Sequence, residues 1–510
     1  MKIITFLTFS AILFAMGSCK VQEDLNDLQG SYNPETAIPL FYSKFNLKDI
    51  VGNKNATALK ISPDGKMNLF YKSAYSERKA TDILKIFAGS AIPIIYKDTL
   101  SYLPALKSSE LNIRKILYKK GVTMSLSVQI LTPNISEPVN LRLWIPTLTR
   151  KGIVFEHSYS GLLASGKSTI IVNKDDLGGY TLTPLPIGSD SIQLRYKASS
   201  VSGKPVSLQV FGLMENPAFS YLEGFIPKKE IAIDNGSVDV SVYNQVVTGD
   251  LTFEEPTISV LIENSYGYPM RSKLNLVRAI GKKGDTIALK TTALANGNFD
   301  FPYATLNEVG KTKYKRFDFT NANSNIKELL NSAPNTILYD IDAIANPDDI
   351  TINGFMTDST NLRIGVEVDI PVIGSAKNFE GRDTIANLDL SVLDNVQAAE
   401  IKLASDNQLP VAIAIQGTFI DATGRVLDNL AASPFKLVDA AQVDVNGNVT
   451  KSTSSEVIIP LTVEKIAKIR SATRLILITN VETSQKGTIP VRILSTQEIN
   501  LRAGIRVTPK

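Results

Sequence analysis

Polar and apolar residues alternate along much of this chain. In Thr123–Ile130, Val238–Tyr243 and Leu362–Ile370 nearly every second residue is apolar, the two-residue period of a strand with one face on a core and the other in water. Val411–Ile415 and Leu475–Ile478 are apolar at every position, as strands buried on both faces are. The dipeptides Asp64-Gly65, Asn235-Gly236, Asn296-Gly297, Asn353-Gly354 and Asn446-Gly447 punctuate the runs. They supply the positive φ values of two-residue hairpins, so most strands are expected to pair antiparallel with a sequence neighbour.

Helical signals are few. Ser324 or Asn325 is placed to cap a turn over Ile326–Leu330, which Pro334 keeps from continuing. Thr462 is placed to cap Val463–Ser471, with Ile466 and Ile469 facing inward. The texture predicts an all-β protein with few short helices. It is expected to form several antiparallel β-sandwich or half-barrel units in series, because one open sheet rarely exceeds about ten strands. Seams at Leu213–Phe225 and Gly374–Thr384 divide the body into β domains spanning 40–212, 213–380 and 381–510.

The first residues break this pattern. Lys2 is followed by an apolar run from Ile3 to Met16 and two small residues, Gly17 and Ser18. The run is too short to cross a bilayer and has the layout of a cleaved signal peptide, residues 1–18. Met16-Gly17-Ser18-Cys19 resembles the bacterial lipobox, which implies that Cys19, the only cysteine, carries a lipid. Residues 19–39 are mostly polar and are expected to form a flexible lipidated tether, with too little apolar surface to offset the entropy of ordering. The acidic pair Glu23-Asp24 resembles the export signal that sends lipoproteins of the phylum Bacteroidota to the cell surface.

Composition narrows the chemistry. Hydrophobic residues make up 44% and charged residues 20%, enough for large cores, and the net charge of +4 comes from interspersed signs. No basic face suggests nucleic acid. With Cys19 lipidated, no thiol remains for a disulfide, a zinc site or a nucleophile. His157 is the only histidine, so no His-rich metal site can form, and a Ser-His-Asp triad would rest on it alone. No enzyme activity and no cofactor are expected.

Several motifs read more simply than they look. Gly161-Leu-Leu-Ala-Ser-Gly166-Lys167-Ser168 matches the phosphate-loop pattern, but β-branched Thr169-Ile-Ile-Val172 follows where a helix is needed. It reads as a chance match, a glycine-bearing loop between two strands. His157 shares an alternation class with Ile153 and Phe155 and reads as a hydrogen-bonded packing residue. Asp444-Val-Asn-Gly-Asn448 lacks a correctly spaced acidic ligand for calcium and reads as a hairpin. Trp144, the only tryptophan, gives little support to a glycan platform. Asp-Ser/Thr-apolar triplets and one looser variant resemble the O-glycosylation acceptor of exported Bacteroidota proteins, which implies candidate acceptors at Thr99, Ser191, Thr286, Ser359 and Thr384.

Together the lipobox, the acidic pair, the triplets and the lysine-rich β texture resemble the large outer-membrane lipoproteins of Bacteroidota. Phe45–Ile50, Asn264–Pro269 and Ile499–Gly504 share that character. The resemblance implies a lipid-anchored, surface-exposed outer-membrane protein without catalytic residues. Its expected role is protein–protein contact, as a subunit of an integral outer-membrane complex that assembles or exports proteins. Two alternatives stand beside it: a carrier of lipid or another apolar ligand in a β tube, with Val411–Ile415 among the lining strands, and a glycan-binding surface lipoprotein.

Overall fold

A computed structural model describes residues 36–46, 59–83, 92–96, 100–104 and 112–509, except 134, 164–166, 185–190, 217, 246–247, 282–283, 295–297, 389, 391–392 and 394–395. These residues form antiparallel sheets stacked as three β-sandwiches. The expected alternation carries the packing. Met124, Leu126, Val128 and Ile130 of strand Thr123–Ile130 are buried between half-buried polar neighbours.

In the first sandwich an eight-stranded sheet, containing the paired strands Val139–Arg150 and Ser191–Ser200, faces a four-stranded sheet containing Thr123–Ile130 and Leu208–Glu215. In the middle sandwich a sheet around Pro334–Ala345 and Met270–Gly281 faces one around Thr257–Asn264 and Asn361–Pro371. In the terminal sandwich a four-stranded sheet contains Val396–Asn407 and Glu498–Pro509. It faces a sheet built on Ile373–Ala386, Arg474–Thr483 and Val411–Ile420. The first and middle sandwiches share one hydrophobic core, and the terminal sandwich has its own.

The sandwiches are nested in the chain. Thr36–Asn46 pairs antiparallel with Glu498–Pro509, so the earliest described strand belongs to the terminal sandwich. Leu59–Ile61, Met67–Lys72 and Ser76–Lys79 join the middle one, and the first sandwich is built almost wholly from the stretch between 92 and 225. Sheet membership therefore crosses the boundaries expected at 212 and 380. Thr36–Pro39, read as tether, pairs with partners from Val507 to Gly504, a contact no local composition reveals.

Strand Gly354–Thr357 carries the seam between the first two sandwiches. In the chain it lies between two strands of the middle sandwich, Pro334–Ala345 and Asn361–Pro371, but it pairs with Phe219–Phe225 of the first. Buried Tyr268 donates to the Gly224 carbonyl at 3.1 Å, and a Cβ at Gly354 would collide with the Gly267 carbonyl oxygen and the Tyr268 ring. The close approach requires glycine there.

The turn dipeptides divide. Gly65 (φ 80°) and Gly447 (φ 77°) turn hairpins as expected. Asn353-Gly354 leads into the seam strand. Asn235-Gly236 separates two strands that both pair with Pro334–Ala345. Neither is a hairpin turn, and Asn296-Gly297 lies outside the described residues. Val238–Tyr243 is strand only to Asp239; Ser241–Gln245 is a 3-10 helix that still buries Tyr243. Apart from a single turn at Ala80–Ile83, the α-helices among the described residues are Ile326–Asn331 and Val463–Ile469. Thr462 caps the latter, accepting from the Lys465 N–H at 3.3 Å, and Ile466 and Ile469 are buried. Asn325 starts the former, but its side-chain oxygen accepts from the Lys290 N–H instead.

Candidate functional site

The residues singled out from the sequence do not converge. Cys19, Gly166 and Thr99 lie outside the described residues. Gly161 ends one strand and Thr169 begins the next, so Lys167 and Ser168 sit in a strand connection with no helix after it. His157 Nε2 lies 2.7 Å from Asp175 Oδ2, and its ring packs 5.1 Å from that of Phe155. The contact joins an edge strand of one sheet in the first sandwich to an edge strand of the other. Ile153 does not share the inward face of Phe155: a register shift between Val154 and Phe155 leaves it 74% exposed.

Asp444 accepts from the backbone of Asn446 (2.9 Å) and Asn448 (2.8 Å), and the Asn448 bonds hold its carboxyl below the usual range. Its oxygens serve the hairpin. Among the described residues no group of three or more metal-binding side chains forms, and no helix is long and apolar enough to cross a membrane. Trp144 is half-buried with the Arg142 guanidinium 4.7 Å over its ring. Thr286, Ser359 and Thr384 are exposed, and Ser191 begins a strand.

One surface does assemble, at an end of the first sandwich. Val139 is paired with both Gly161 and Ser200, while Val128 faces Thr169 and Ile130 faces Leu208. The chain therefore passes between the two sheets at the same end three times, after Ile130, after Gly161 and after Ser200. Each connection presents an apolar residue to solvent: Leu131 is 43% exposed, Leu162 66% and Val201 61%, with Ile170 beside them at 64%.

Two of the connections are bound together. The Leu131 N–H donates to Ser207 O (2.9 Å), the Ser207 N–H to Thr132 Oγ1 (2.7 Å) and the Val201 N–H to Pro138 O (3.0 Å). Glu137 accepts from the Ser202 hydroxyl at 2.7 Å and the Ser202 N–H at 3.1 Å; the serine bonds keep its carboxyl below the usual range. These two connections are thus held to each other. Sequence reasoning missed it because Leu131, Leu162 and Val201 are single apolar residues in polar loops. Only the strand register brings them together.

A second feature is an apolar pocket of about 190 Å³, partly open to solvent, where the terminal sandwich meets the middle one; Val411 and Ile413 line it.

No protein-family model matches the chain, and no curated protein matches it in sequence. Among solved structures, a Parabacteroides distasonis protein described as secreted aligns over 57% of this chain and 89% of its own, at 14% identity and a TM-score of 0.30. The VP2 subviral particle of infectious bursal disease virus aligns over 90% and 85%, at 8% identity and a TM-score of 0.13. Dimeric latent PorU from Porphyromonas gingivalis aligns over 81% of this chain and 33% of its own, at 8% identity and a TM-score of 0.16. Likenesses this slight carry no functional inference.

Proposed function

We propose that this chain is a non-catalytic, lipid-anchored outer-membrane lipoprotein that works by protein–protein contact, as a surface subunit on an integral outer-membrane complex. The lipobox at Cys19 and the acidic pair Glu23-Asp24 support the location. The observation that carries the role is the tip of the first sandwich, where three strand connections each hold out an apolar side chain. Single exposed apolar residues are ordinary, but several gathered on loops at one end make a contact surface. A tether between Cys19 and the strand that starts at Thr36 raises the effective concentration of such a tip at a membrane-embedded partner.

The test is crosslinking in intact cells, followed by mild detergent extraction and identification of the partner. The wild-type chain should bring down an integral outer-membrane protein. The double variant Leu162→Asp, Val201→Asp should lose it while keeping its thermal midpoint. Recovery of free monomer alone from wild-type cells would sink the proposal. Metabolic labelling with palmitate checks the anchor, with label expected on the wild type and none on Cys19→Ala.

A further inference from the structure

The cavity in the terminal sandwich is bounded from two bodies. Leu69 and Val242 come from the middle sandwich; Phe253, Ala376, Ile413 and Ile499 come from strands of the terminal one. Its hydroxyl-bearing side chains are already occupied. Thr483 Oγ1 accepts from the Ala376 N–H (3.2 Å) and donates to the Ala376 carbonyl (3.4 Å), and the Thr252 and Ser375 hydroxyls bond each other at 2.7 Å. A water inside would lack the two to four polar partners that hold a buried water, so the lining favours an apolar occupant.

Size narrows the occupant. An apolar cavity of about 150 Å³ takes up benzene, whereas drug-sized ligands need pockets of roughly 300 Å³ or more. At about 190 Å³, this pocket lies below that range, and its apolar lining suits a section of unbranched alkyl chain. Nothing in its lining would orient a polar ligand.

Charge stands beside the same wall. Lys377 follows Ala376 in the chain and is exposed. The turn Ser484–Gly487 packs against this segment, so that a Cβ at Gly487 would stand 3.0 Å from the Lys377 Cβ. In that turn Gln485 and Lys486 both take left-handed backbone (φ 56°), a strained arrangement for side-chain-bearing residues. The strain is held from two sides: the Ser484 hydroxyl donates to Ala441 O at 2.7 Å and its N–H to Pro410 O at 2.9 Å. Among the described residues neither Lys377 nor Lys486 has an ion-pair partner within 4.0 Å, including Asp250 opposite Lys377 across the strand pair.

We propose that this cavity binds the alkyl chain of a single-chain anionic amphiphile, a long-chain carboxylate, with its head group outside near Lys377 and Lys486. The site is independent of the tip on the first sandwich, so failure of either assignment leaves the other standing.

The test is calorimetric titration of the purified mature protein with dodecanoate and with dodecanol. Saturable binding at one site is expected for dodecanoate, and Ala376→Trp, which fills the cavity, should abolish it. Ile413→Phe narrows the same space by a smaller step and serves if the tryptophan variant does not fold. The pair Lys377→Glu, Lys486→Glu should weaken dodecanoate about fivefold, as exposed charges do, and leave dodecanol unchanged. No saturable binding by the wild type, or equal binding by a folded cavity-filled variant, would overturn the site. Equal affinity for acid and alcohol, with no effect of the lysine changes, would overturn the anionic head group.

Discussion

The Tyr196 hydroxyl donates to the Leu208 carbonyl at 3.3 Å and accepts from the Leu208 N–H at 3.2 Å. The two residues lie on the facing sheets of the first sandwich, and both are buried. Ser207 takes the ladder bond from Leu131, so the backbone of Leu208 points away from that neighbour and Tyr196 supplies its partner. Tyr196→Phe leaves a buried N–H and a buried carbonyl unpaired, and a loss of about 1–3 kcal/mol is expected. Tyr118 is the counter-case: its hydroxyl is buried with no hydrogen-bond partner among the described residues. Tyr118→Phe should be neutral or stabilising by up to about 1 kcal/mol. Urea unfolding of both variants checks the contrast, and equal losses would refute it.

Gly354 gives a second prediction. Because the Gly267 carbonyl oxygen and the Tyr268 ring both stand against its missing Cβ, Gly354→Ala should shift the Gly267–Tyr268 backbone, pull Tyr268 off the Gly224 carbonyl and loosen the seam. Overpacking of this kind costs about 1–3 kcal/mol. Hydrogen exchange should quicken in Gly354–Thr357 and Phe219–Phe225 and stay unchanged in Arg474–Thr483.

Deleting residues 36–46 removes a whole edge strand from the terminal sandwich. Faster exchange is expected in Glu498–Pro509, which loses one of its two neighbours, while the first sandwich keeps its protection. Unchanged protection of Glu498–Pro509 would show that the pairing contributes nothing to the terminal sandwich.

A fourth prediction concerns pH. The Lys313 ammonium, 2.7 Å from Glu308, and the N–H and hydroxyl of Thr305 hold the Glu308 carboxyl down to about 2, against an ordinary 4.5. A carboxyl depressed in the folded state stabilises it fully above the unfolded value, and the contribution disappears as pH falls through the folded one. The stability gap between wild type and Glu308→Gln should therefore hold steady above 4.5 and shrink between 4.5 and about 2. Denaturation series at stepped pH would show a flat gap if the contact is inert.

The sequence was readable wherever structure depends on near neighbours. Period-two burial in Thr123–Ile130 and Asn361–Pro371, the cap at Thr462 and the positive φ of Gly65 and Gly447 each arise within a few residues. What escaped depends on distant partners. Gly354 looks like a turn residue because the groups that require it belong to Gly267 and Tyr268. Thr36–Pro39 looks like linker because its partners run from Val507 to Gly504. The same limit applies to function. Each apolar residue at the tip is unremarkable in its own loop, and the cavity is lined from strands that lie far apart in the chain.

The pairing of Thr36–Asn46 with Glu498–Pro509 also imposes a timetable. The hydroxyl of Tyr42 reaches Asn500 across 458 residues, so one of the first strands to be made waits for one of the last. The first sandwich, built almost entirely from one continuous stretch, can close while the rest of the chain is still arriving, and the middle one can close around it. Loop-closure entropy delays the outermost ladder longest. Until Glu498–Pro509 arrives, Thr36–Asn46 is an unpaired edge open to wrong partners. The chain should therefore be most vulnerable to misfolding late, at the step that joins its two distant strands.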